Sequence, residues 1–85
     1  MEQTLKTLQD LQMRAFKKGI HVFQVSARTY EEEEDNFRRG LVVTVFLTSS
    51  DKDEDYGAFY FYEEESFAVS NFRALYNLKA FIGEE

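Results

Sequence analysis

The chain has 85 residues, with 16 Asp and Glu against 10 Lys and Arg, and a net charge of −6. That balance repels a phosphate backbone and speaks against direct nucleic-acid binding, and the absence of cysteine removes disulfides and thiolate metal sites. An apolar fraction of 44%, with nine Phe and five Tyr, supports a packed core rather than a disordered chain, and the length suits one α+β domain over residues 1–85.

Residues 2–18 read as a helix. Leu5, Leu8, Leu11, Ala15 and Phe16 recur at three- and four-residue spacing, with Lys6, Gln9, Asp10, Gln12 and Lys17 turned away. Lys17 and Lys18 suit the negative end of the helix dipole, and Gly19 suits a left-handed stop. The opening residues lack the continuous apolar run of a signal peptide. The longest apolar stretch, Leu41 to Leu47, is far too short to span a bilayer. A cytoplasmic protein without membrane contact is the expectation.

Residues 20–30 read as a strand with Phe23, Val25 and Ala27 on one side and Gln24, Ser26 and Arg28 on the other. Residues 41–48 form a second strand, dense in β-branched and aromatic residues, and residues 57–62 a third. A second helix starts at Ser66 or Ser70 and runs to Ile82, with Ala68, Phe72, Leu75, Tyr76 and Ile82 inward and Gly83 as its stop. Short connectors favour an antiparallel meander, giving helix, three strands, helix (αβββα) with both helices packed on one sheet face. Phe23, Val25, Ala27, Leu41, Val43, Val45, Leu47, Phe59 and Phe61 would face the helices.

The opposite face then carries Val22, Tyr30, Val42, Phe46, Tyr60 and Tyr62. A solvated sheet face alternates to polar residues, and this one is too aromatic for that, so it is the expected partner-binding surface. Fourteen of the 16 acids fall outside the regular elements, in three connectors and at the last two positions. Meander geometry gathers Glu31, Glu32, Glu33, Glu34 and Asp35 with Glu63, Glu64 and Glu65 at one end of the sheet, close to Arg38 and Arg39. This acidic surface reads as hydrated charge or as a docking site for a basic partner. In the same loop, Phe37 is expected to fold back on the sheet edge.

Three further features carry less chemistry. Asp51, Asp53 and Asp55 before Gly57 resemble the start of an EF-hand calcium loop, but the glycine is one residue late and Tyr62 stands at the twelfth position. The reading there is a charged hairpin tip, paired with Lys17 and Lys18. His21, the one histidine, has no partnered constellation and reads as a residue of the core rim. The element order is similar to that of double-stranded-RNA-binding domains in topology alone. Where such domains have a lysine-rich helix start, this chain has Glu63-Glu64-Glu65-Ser66, which disfavours RNA.

No phosphate loop, nucleophile elbow or paired-acid motif is present, so no enzymatic activity, metal or cofactor is expected. The expected function is a small interaction module that binds a protein or a second copy of itself, as a homodimer, through the aromatic sheet face. The alternative is an acidic mimic of nucleic acid that sequesters a basic nucleic-acid-binding protein. A weak calcium-dependent binder ranks third.

Overall fold

In the computed structural model, residues 1–50 and 52–84 are described, Glu32 by its backbone alone. Helix α1 spans Glu2–Lys17, strands β1, β2 and β3 span Val22–Glu33, Asn36–Phe46 and Tyr56–Tyr62, and helix α2 spans Ala68–Ile82. The three strands form an antiparallel sheet in the order β1-β2-β3. Both helices cover one sheet face, α1 against β1 and α2 against β3. The predicted αβββα arrangement is therefore the observed one.

Between the helices and the sheet lies one cluster, built from Leu8 and Leu11 of α1, Leu41, Val43 and Val45 of β2, Phe61 of β3, and Leu78 and Ile82 of α2. The helices are rotated differently from the sequence expectation. Leu5 and Phe16 are exposed rather than inward, Phe16 at 78%, while Leu8, Leu11 and Ala15 are buried. On α2, Phe72 is 71% exposed, and Ala68 and Tyr76 are also outward. Asn71, Leu75, Leu78 and Ile82, at spacings of four, three and four residues, form the stripe that meets the sheet.

Neither serine caps α2. A 3-10 turn over Glu65–Phe67 leads into the helix without any side-chain cap. Gly19 and Gly83 follow the helices at φ 81° and 77°, the left-handed conformation that glycine adopts without steric cost. Lys18 joins the two helix ends. Its ammonium donates to the carbonyls of Ile82 (3.0 Å) and Gly83 (2.7 Å), the unpaired end of α2. It also sits 2.6 Å from Glu84, which Arg14 approaches at 3.2 Å. Lys18 thus serves α2 rather than the acids at Asp53–Asp55.

The largest departure concerns the first acidic run, which is strand rather than connector. β1 continues to Glu33 and β2 begins at Asn36, leaving Glu34 and Asp35 as a two-residue turn with Asp35 at φ 65°. Aspartate tolerates that left-handed conformation better than most residues. Cross-strand pairs Thr29↔Arg39, Tyr30↔Arg38 and Glu31↔Phe37 hold the arm, with a register shift between Glu31 and Glu33. β3 ends at Tyr62 opposite Gly40. Residues 29–39 therefore project as a two-stranded arm, and Phe37 stays 56% exposed instead of folding back.

Candidate interaction surface

Pairing fixes which side chains share the outer sheet face, because side chains alternate along a strand. Val22, Phe46 and Tyr56 make the first row, then Gln24, Thr44 and Ala58, then Ser26, Val42 and Tyr60, then Arg28, Gly40 and Tyr62, with Tyr30 and Arg38 at the far end. The face is apolar at the Val22 end, polar near its middle, and aromatic with two arginines at the Tyr30 end. All six predicted contact residues, Val22, Tyr30, Val42, Phe46, Tyr60 and Tyr62, lie on it.

The aromatic rings are organised around a gap in the central strand. Gly40 brings no side chain to its row, and Tyr30 reaches from β1 to both rings of β3. Its centroid lies 5.7 Å from that of Tyr60, edge-on, and 5.4 Å from that of Tyr62. The Tyr30 hydroxyl donates to the Leu41 carbonyl at 3.4 Å. Such ring pairs contribute ~0.5–1.5 kcal/mol beyond their buried area. Gly40 is also demanded by backbone packing, since a Cβ there would run into the Phe61 carbonyl oxygen.

Phe67, from the 3-10 turn before α2, extends this ring assembly. Its centroid is 4.5 Å from that of Tyr62, and the Arg38 guanidinium lies 4.6 Å from the same Phe67 ring centroid. Arg38 also holds Glu64 at 2.6 Å, and Arg28 lies 5.3 Å over Tyr30. At the opposite end, Phe46 and Tyr56 meet at 4.9 Å. Burial raises the pKa of Tyr30, aided by the neighbouring Tyr62 and Tyr60 and opposed by Arg28. Tyr60, 42% exposed, is the most open of the six predicted residues.

Tyr56 and Phe67 belong to the surface although the sequence reading assigned them no role in it. Tyr56 had a signal, because the alternation Tyr56, Ala58, Tyr60, Tyr62 runs back into the supposed loop. Phe67 had none, since only the 3-10 turn returns its ring to the sheet.

The structure brings the two acidic segments together. The Glu63 amide donates to the Arg39 carbonyl at 2.9 Å, and Arg38 bridges to Glu64. Glu31, Glu33, Glu34, Asp35, Glu63 and Glu65 are exposed around this end. The expectations resting on Asp51, the Glu32 side chain and Glu85 lie outside the described residues. Asp55 is occupied locally, with Ser50 and Thr48 hydroxyls donating to it at 2.7 and 3.0 Å; these bonds lower its pKa. Among the described residues, no three His, Asp or Glu side chains are grouped as a metal site. His21 is exposed just before β1, with its backbone amide on the Leu47 carbonyl. Among the described residues, no helix is long and apolar enough to cross a membrane.

A polar helix residue meets each sheet edge at one position. The Asn71 side chain accepts from the Tyr62 amide at 2.9 Å and donates to the Tyr62 carbonyl at 2.8 Å, pairing with β3 as another strand would. On the other edge, Gln12 donates to the Phe23 carbonyl at 3.0 Å. No family model matches this chain, and neither a curated protein nor a solved structure matches it.

Proposed function

We propose that the protein is a non-catalytic interaction module whose outer sheet face packs against the same face of a second copy. The supporting observation is the ring assembly of Tyr30, Tyr60 and Tyr62, joined to Phe67 and capped by Arg28 and Arg38, on a face that, among the described residues, neither α1 nor α2 covers. Rings locked against one another lose little conformational freedom on binding, which favours them as contact residues. Under a two-fold parallel to the sheet, midway between the two faces and running across the strands, the Val22, Phe46 and Tyr56 end of one copy meets the tyrosine end of the other. The test is solution mass by light scattering. Phe46→Glu halves the mass while far-UV circular dichroism stays unchanged; a variant as heavy as the wild type removes this reading.

The projecting arm supports a second reading, in which its acids mimic a nucleic-acid backbone toward a basic nucleic-acid-binding protein. The observation behind it is that Glu31 and Glu33 stand on the paired strand β1 and Glu34 and Asp35 on the tight two-residue turn that ends it, rather than on a long loop. Capture of such a partner would fall steeply as salt rises. Binding indifferent to salt counts against the mimic.

A further inference from the structure

The edge of β1 remains open for most of its length. In an antiparallel pair, residues alternate between those bonded to the neighbouring strand and those facing away. Phe23 faces away from β2, since Gln12 takes its carbonyl, so Val25, Ala27 and Thr29 on the same alternation face away too. Among the described residues, β1 has only β2 beside it in the sheet. Among the described residues, none donates to or accepts from the outward backbone groups of these three. An open, regular edge of this kind is a template for another strand.

We infer that this edge pairs with β1 of a second copy, antiparallel about a two-fold at Ala27, to form one six-stranded sheet. Ala27 is the centre of the free segment, between the Phe23 carbonyl held by Gln12 and the register shift after Glu31. Three properties of the chain specify its own copy as the occupant. The first is apolar surface: this pairing carries the end of α1, with Met13 58% and Phe16 78% exposed, toward the uncovered helix-side face of the partner's arm, where Phe37 is exposed. The second is charge: Glu31 and Glu33 of each strand come beside the beginning of the other, next to the exposed Lys17. The third is area. One outer face measures roughly 350 Å² in plan from strand rise and spacing, short of the ~800 Å² per partner of an ordinary interface. Joining two sheets doubles it.

This contact stands apart from the face-to-face one proposed above. Its two-fold is perpendicular to the sheet and the other runs parallel to the sheet between the packed faces, so both are compatible in a closed assembly of four chains. The experiment therefore uses Phe46→Glu, or Tyr60→Glu should the first not fold, to remove the outer-face contact. In that background the protein remains a dimer, and the amides of Val25, Ala27 and Thr29 exchange with solvent about tenfold or more slower at high than at low concentration. Adding Ala27→Pro gives a folded monomer, because that amide serves no β1–β2 bond and proline is tolerated at such an edge position. Phe16→Glu weakens the dimer from the helix side. A monomer at every concentration before the proline is added, or a dimer whose three amides exchange at the monomer rate, overturns the inference.

Discussion

Along β3 the outward amide and carbonyl of Tyr62 are both taken by Asn71 and α2 lies along the strand, whereas along β1 helix α1 reaches only the Phe23 carbonyl. The two edges belong to one sheet and are flanked by helices of similar length, so the difference comes from single side chains. An asparagine amide carries a donor and an acceptor at the spacing of a peptide group and closes the strand edge at Tyr62 by imitation. A glutamine that donates once leaves its own edge open beyond that point. Where a single amide falls on a helix thus sets how many of an edge residue's two backbone groups are bonded.

The largest test of this contrast lies on the strand between the edges. Gly40→Ala places a Cβ against the Phe61 carbonyl on the β3 side alone. It is expected to cost about 3 kcal/mol in urea unfolding. Amide exchange should show β2–β3 opening before β1–β2; equal loss of both pairings would mean the edges are not independent. Next come the amides themselves. Asn71→Ala removes two hydrogen bonds and costs about 2 kcal/mol, while Gln12→Ala removes one and costs about 1 kcal/mol. Equal losses in the two variants would erase the distinction between a closed and an open edge.

The smallest effect concerns Tyr30, whose ring ties β1 to β3 over Gly40. Its pKa is raised by burial, so the folded state holds the phenolic proton more tightly than the unfolded chain. The resulting stability is complete below about pH 10, the ordinary tyrosine value, and is lost as pH climbs through the raised value. Alkaline titration of tyrosinate absorbance should show an ionisation above the usual range that Tyr30→Phe removes. The variant should also lose less stability between neutral and alkaline pH than the wild type. An unchanged titration would place Tyr30 in solvent and break the bridge between the edges.

The element order was legible because the periods of two and 3.6 are clean in β1, β3 and α1, and the face holding Val22, Phe46 and Tyr60 followed from alternation alone. What escaped was set by tertiary pairing. The acids at residues 31–33 have low strand propensity and read as a connector, but Phe37 opposite Glu31 and Asn36 opposite Glu33 supply cross-strand partners and Asp35 supplies the turn. In α2 nearly every turn offers an apolar residue in each direction, so periodicity does not choose a face. Asn71 chooses it: once its amide is fixed on Tyr62, Leu75, Leu78 and Ile82 turn inward and Phe72 and Tyr76 outward. A polar residue, ignored when apolar ones are counted, sets the rotation of the helix.

The bond from Lys18 to the end of α2 spans 64 residues of sequence, and this has a kinetic consequence. The β1–β2 hairpin closes through a two-residue turn and is available within microseconds, the timescale of hairpins. The clasp between the helix ends gains nothing until the intervening chain is in place. Closing so long a segment carries an entropic cost that local turns avoid. Substitutions at Lys18 should therefore speed unfolding and leave the folding rate nearly unchanged, the signature of an interaction absent from the transition state. The residue that fastens the two helices together would then act as the latch on the finished molecule, governing how long it lasts rather than how fast it forms.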